Sequence, residues 1–192
     1  MGPALRTLCI GVAACAVVLS ALADAPAQEL KKIRKAKRVL CSAGSSTVLA
    51  RYKTDKAEAL PFAIPKPLTR KPGDPERGLE AVVNPGKGNC LACHHIAKVL
   101  AKVEEDDTES MKKYGNHGEI GPPLNGVGAR YTQAELRMII VDPKKAFPDA
   151  DTIMPAYHAR PANKDISRAC RGRVALSAQA VEDIVAFLEE LK

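Results

Sequence analysis

Eight residues constrain this chain more than any others: Gly88-Asn89-Cys90-Leu91-Ala92-Cys93-His94-His95. Cys90, Cys93 and His94 form a C-x-x-C-H, the pattern by which two thiols bond covalently to the vinyl groups of a haem while the next imidazole ligates its iron. The spacing has a physical reason: two intervening residues let one turn of chain reach two neighbouring vinyl positions and bring the following side chain under the iron. Half of a zinc site, a redox dithiol and a pair of buried cysteines are the competing readings. Zinc would need a second ligand pair at similar spacing, and no second C-x-x-C or H-x-x-x-H follows. A redox dithiol would need strands and helices in alternation around it, which the sequence lacks. One covalently bound haem c, attached through Cys90 and Cys93 with His94 as axial ligand, is the expectation.

The N-terminus has the features of an export signal. Arg6 precedes an apolar run from Leu8 to Leu22, and small residues follow at Ala21, Ala23, Ala25 and Ala27. Residues 1–27 are therefore expected to be a signal peptide, cleaved after Ala23 or Ala27, and the run is too short for a stable membrane anchor. Export to the periplasm also decides how the cysteines are counted. Cys9 and Cys15 leave with the signal and Cys90 and Cys93 go to haem, so Cys41 and Cys170 remain. In an oxidising compartment they are candidates for a disulfide, the alternatives being two separate thiols or a bond to another chain.

Charge divides the rest of the chain. Residues 28–72 hold 12 Lys or Arg against 3 Asp or Glu, whereas residues 73–192 hold 16 against 18. The basic part begins with Lys31, Lys32, Arg34, Lys35, Lys37 and Arg38 and continues into a segment broken by Pro61, Pro65, Pro67, Pro72 and Pro75. No continuous helix survives that spacing of prolines, so residues 28–72 read as an extended arm lying on a surface. In an exported protein such a basic run is a solvated or partner-docking arm, and nucleic acid is set aside. Residues 73–192 are expected to form the haem domain. Aromatic residues make up 4% of the chain and Trp is absent, which suits a small core filled largely by a porphyrin.

Within that domain the first helix is expected over Pro75–Val83, with Asp74 as N-cap, Pro75 at the first helical position, and Leu79, Val82 and Val83 as its apolar stripe. Asn84-Pro85-Gly86 stops it, and the haem motif follows. A short helix leading into C-x-x-C-H resembles the start of a class I cytochrome c. Residues 96–117 read as an irregular insert with at most a helical turn over Val99, Leu100 and Val103, and the acidic residues 104–107 read as a solvated face. Gly121-Pro122-Pro123-Leu124-Asn125-Gly126-Val127-Gly128 has the turn chemistry of a rigid loop packed edge-on to a haem. Thr132 and Glu135 form a capping box, so a helix starts at Gln133, carries Leu136, Ile139 and Ile140 inward, and stops at Asp142-Pro143. The last helix is expected over Ala178–Leu191, capped by Ser177, with Val181, Ile184, Val185, Leu188 and Leu191 in one stripe.

His94 occupies one face of the iron, so a second ligand must come from elsewhere. Met111, His117, Met138, Met154 and His158 are the candidates. Met138 sits mid-helix among core positions, and Met111 and His117 lie in the polar insert. Met154, followed by Pro155, lies in a loop between helices from which a thioether can reach across a porphyrin, and it is preferred, with His158 second. A packing methionine is the alternative for Met154. A His/Met pair supports a relatively high reduction potential, suited to accepting electrons.

Several further runs are more particular than a generic cytochrome c. Ala63-Ile64-Pro65-Lys66-Pro67-Leu68-Thr69, Gly73-Asp74-Pro75, Gly126-Val127-Gly128-Ala129-Arg130-Tyr131, Ile140-Val141-Asp142-Pro143, Met154-Pro155-Ala156-Tyr157 and Val181-Glu182-Asp183-Ile184-Val185 resemble the SoxX family, over roughly residues 60–192. That resemblance implies an all-α, class I cytochrome c-like haem domain with an extended N-terminal arm. It also implies a SoxA-like c-type cytochrome as partner, in a complex that oxidatively joins thiosulfate to a cysteine of the carrier SoxYZ and passes two electrons to a downstream cytochrome c. The reactive cysteine belongs to the partner, so this chain would be an electron-transfer subunit without catalysis of its own. The length of the insert and the basic residues 28–60 depart from the family pattern. The haem domain taken alone supports a second reading, a freestanding periplasmic electron carrier serving another dehydrogenase.

Overall fold

In the computed structural model the structure describes residues 45–104, 106–159, 170 and 172–192. Among these the regular elements are helices: α1 Pro75–Val83, α2 Ala97–Leu100, α3 Thr108–Tyr114, α4 Val127–Arg130, α5 Gln133–Val141, α6 Pro143–Ala146 and α7 Ala178–Glu189, with a short 3-10 turn over Cys90–Ala92. Strand pairing among the described residues is confined to two isolated bridges, Ser46 with Val174 and Asp55 with Ala63.

The long helices begin where the local chemistry places them. The Asp74 carboxylate accepts the Arg77 N–H at 3.0 Å with Pro75 in the first turn, closing the N-terminus of α1. Thr132 and Glu135 complete a reciprocal capping box on α5, and Ser177 Oγ accepts the Ala180 N–H at 3.2 Å at the head of α7. Each cap satisfies backbone donors that would otherwise lack a partner. α7 ends at Glu189, two residues short of the expected Leu191, and the Leu191 side chain remains buried.

α7 is the centre of the packing, against α1, α5 and α4. Its stripe Val181, Ile184, Val185, Leu188 and Leu191 is buried throughout, and each such side chain contributes about 1.5–3 kcal/mol when fully removed from water. α1 comes close enough to α7 that a Cβ at Gly78 would overlap the Asp183 carbonyl oxygen. Only glycine permits that approach.

Residues 45–72 are tied into the same unit as the helices. Leu60, Ala63 and Ile64 are buried in the core, so the extended arm is anchored to the helices at this point. The cause is a set of long-range polar contacts. Arg137 grips Glu182 through two bonds of 2.8 and 2.9 Å and donates to the Ile64 carbonyl at 2.7 Å, while Glu182 also accepts the Leu68 N–H at 2.8 Å. Glu135 accepts the Ala59 N–H at 2.8 Å, and Ile64 donates its N–H to the Ala134 carbonyl at 3.0 Å. Arg137 and Glu182 are 1% and 5% exposed, so the pair is a buried one. Burying such a pair is close to break-even in energy, and its effect here is to fix where the proline-rich segment lies.

The insert is more ordered than its sequence suggests. α3 occupies the stretch read as irregular, and Asp107, assigned to a solvated acidic face, caps it by accepting the Glu109 and Ser110 N–H groups at 2.9 and 3.2 Å. His117 closes the insert, taking the Ile96 N–H on Nδ1 at 3.0 Å and donating from Nε2 to the Tyr114 carbonyl at 2.7 Å.

Candidate haem site

The cysteine motif folds as one tight turn. Asn89 enters it in the left-handed conformation, φ 51°, and the Cys93 and His94 N–H groups both donate to the Cys90 carbonyl, at 3.1 and 2.9 Å. A single turn thereby brings Cys90, Cys93 and His94 to one wall of a cavity of about 810 Å³. The loop from Gly118 to Leu124 is zipped onto the motif by three backbone bonds: Gly118 N–H to the Leu91 carbonyl at 2.7 Å, Gly121 N–H to Cys93 at 2.8 Å, and Leu124 N–H to His95 at 2.9 Å. It lies so close that a Cβ at Gly121 would overlap the His94 ring.

This loop also fixes the chemistry of the imidazole. His94 Nδ1 lies 2.7 Å from the Pro122 carbonyl, which can only accept, so the proton sits on Nδ1 and Nε2 presents its lone pair. A carbonyl that accepts from the far nitrogen in this way sets both ring orientation and tautomer of a metal-binding histidine. The rest of the wall is mostly apolar, with Leu136, Ile139 and Ile140 from α5, Ile184 and Leu188 from α7, and Phe147. Burial there pushes the Cys90 thiol up to about 12, despite a backbone hydrogen bond acting the other way, with Cys93 adding to the rise. An uncharged sulfur, such as a thioether, is the form this setting favours.

Met154 lines the same cavity, its backbone N–H held by Thr152 Oγ1 at 3.2 Å. The other candidates for a second ligand are not among the lining residues. Met138 is fully buried in the helical core and Met111 is on the surface. Both ring nitrogens of His117 are engaged, as described above. His158 is fully buried, accepting the Ala50 N–H on Nε2 at 3.0 Å and donating from Nδ1 to the Leu176 carbonyl at 2.8 Å, so neither nitrogen has a lone pair free for a metal. Two thiols, an imidazole with a free Nε2 and a thioether around a mostly apolar cavity of ligand size fit a haem. Cys170 is disulfide-bonded; Cys41, its expected partner, lies outside the described residues, as do residues 1–40 with the expected signal peptide and the basic run 31–38.

Sequence reasoning missed the Pro122 carbonyl and the clasp formed by His158. Pro122 follows a glycine that has to be small, a recognisable signal once the neighbour of Gly121 is known; nothing local marks His158.

The cytochrome c family model matches residues 83–192. Among solved structures, the chain is similar to one in the crystal structure of SoxXA from P. pantotrophus, with 34% identity over 72% of this chain and 94% of that one and a TM-score of 0.53. This chain belongs to the cytochrome c family, as a SoxX-like member. The SoxX-like cytochrome carries one covalently bound haem c, and Cys90 and Cys93 are its C-x-x-C-H cysteines. No curated protein sequence matches it. Among the described residues, no helix of the SoxX-like cytochrome is long and apolar enough to cross a membrane.

Proposed function

We propose that this cytochrome is the electron-transfer subunit of a SoxAX-type complex in the periplasm, paired with a SoxA-like c-type cytochrome. The observation that carries the reading is the convergence of Cys90, Cys93, His94 and Met154 on one cavity, in a chain 34% identical to one in a SoxXA structure. Cys90 and Cys93 would hold the haem covalently, and His94 Nε2 and the Met154 sulfur would ligate the iron. When bound, the haem supplies reversible one-electron oxidation and reduction at a relatively high potential. The chain's own residues orient and protect it. Pro122 holds the His94 ring, and the aliphatic wall from α5 and α7 keeps water from the ring faces.

The complex would join thiosulfate to a cysteine of SoxYZ. A sulfur–sulfur bond would form with release of the thiol proton, and the two electrons given up would pass to a downstream cytochrome c. The reactive thiolate belongs to the SoxA-like partner, and this chain contributes no nucleophile. Residues 1–27 serve as the export signal in this reading, and a Cys41–Cys170 bridge would tie the basic arm to the haem domain.

The test is affinity purification of the full chain from the periplasm of cells growing on thiosulfate, followed by intact-mass and haem analysis. A second haem-bearing polypeptide at equal stoichiometry is expected, with thiosulfate-dependent activity in the pair. Recovery as a lone monohaem protein under washing that preserves complexes would favour the freestanding carrier.

A further inference from the structure

Tyr157 stands three residues beyond Met154 and lines the same cavity. Its hydroxyl donates to the Gly88 carbonyl at 2.8 Å, across 69 residues of sequence. Gly88 precedes Cys90 by two positions and is itself fixed, since its N–H donates to the Ala81 carbonyl at 2.9 Å and a Cβ there would press on that same oxygen. The Tyr157 backbone is fixed as well: its N–H donates to Ile140 at 3.1 Å, and its carbonyl accepts from Leu176 at 2.8 Å. Among the described residues, no other hydrogen bond joins the segment 84–96, which carries the cysteines, to the segment 147–159, which carries Met154. The two walls of the cavity thus meet through one phenol, anchored at both ends to rigid backbone.

We propose that Tyr157 is a positioning residue for the second axial ligand, its hydroxyl fixing the methionine-bearing segment at the distance from the cysteine turn that lets Met154 reach the iron. The inference rests on the assignment of Met154 as that ligand. A methionine–iron bond is weak enough to be displaced by added ligands, so the span between the two walls governs how readily Met154 is replaced. Burial raises the phenol well above its ordinary range, so the hydroxyl keeps its proton and remains a donor. Without it the Gly88 carbonyl loses its partner while the ring still fills its place.

The experiment is imidazole titration of the oxidised, haem-loaded full chain, read by the sulfur-to-iron charge-transfer band in the far red, in wild type, Tyr157→Phe, Met154→Ala and Val99→Ala. Val99 is fully buried and does not line the cavity, so it reports general destabilisation. Tyr157→Phe is expected to keep the band without imidazole but to bind imidazole about tenfold more tightly, the size of effect that losing one buried hydrogen bond can give. Val99→Ala should lower the thermal midpoint and leave imidazole affinity unchanged. Imidazole affinity in Tyr157→Phe equal to wild type, or changed no more than in Val99→Ala, overturns the proposal. A band retained in Met154→Ala defeats the ligand assignment instead, which separates the two failures. If Tyr157→Phe does not mature with haem, Tyr157→Leu is tested in its place; if neither matures, the role is structural and the proposal is overturned.

Discussion

α5 and α7 each present two unlike faces. Toward the cavity they turn Leu136, Ile139, Ile140, Ile184 and Leu188; toward residues 59–77 they turn Glu135, Arg137, Glu182 and Asp183, every one engaged in hydrogen bonds. The polar side is completed by the chain itself, and no buried side-chain nitrogen or oxygen among the described residues lacks a partner. The apolar side is completed by the cofactor. Without it this apolar wall would line a solvent-open cavity of about 810 Å³ with nothing to pack against, and the contacts it makes with the cofactor would be lost. One half of this fold is therefore specified by the sequence alone, and the other by sequence plus haem.

The largest effect expected from this difference follows loss of attachment. The double variant Cys90→Ala, Cys93→Ala should lose covalent haem and, with it, most of the native helical signal in far-ultraviolet circular dichroism; native helix content in the haem-free protein would break the contrast. On the polar side, Glu182→Gln leaves the Arg137 guanidinium buried without a counter-charge. It should cost about 3–5 kcal/mol in urea unfolding while the haem absorption of the folded protein stays unchanged.

Acid should act on the same side. Burial pushes the Asp183 carboxyl up, but hydrogen bonds from Arg77, Gln179 and the Asp74 backbone outweigh it, and the net value lies below the ordinary 3.8. Glu135 behaves alike, burial being outweighed by bonds from Thr132 and from the Ala59 and Leu60 backbone, and it falls below the ordinary 4.5. A carboxyl whose folded value is lowered contributes stability that is complete above its ordinary value and is lost as pH falls through the folded one. Limited proteolysis within residues 45–72 should therefore begin below these ordinary values, at a pH where the haem absorption is still native. Simultaneous loss of both signals would contradict the separation of the two faces. The smallest effect is Thr132→Ala, which removes one side of the α5 capping box and should cost about 1 kcal/mol in thermal unfolding.

What the sequence disclosed was local. Cys90, Cys93 and His94 declare themselves by spacing, and Asp74, Thr132 and Ser177 by the helices they cap. The stripe of α7 follows from its period. The pairing of Arg137 with Glu182, 45 residues apart, has no local signature. Ile64 was hidden for the same reason, because its burial is imposed by Arg137 and by the Ala134 carbonyl rather than by any periodicity of its own. The α3 helix escaped because its seven residues carry little apolar pattern and its cap, Asp107, sits within an acidic run.

The proposal that most needs testing is that His94 and Met154, which line one cavity, both ligate a covalently held haem. Near-infrared magnetic circular dichroism of the oxidised full chain, beside Met154→Ala, tests it most directly. The account predicts a methionine-to-iron band in the wild type that Met154→Ala abolishes with covalent haem retained. A wild-type spectrum without that band, or a band that survives Met154→Ala, would contradict it.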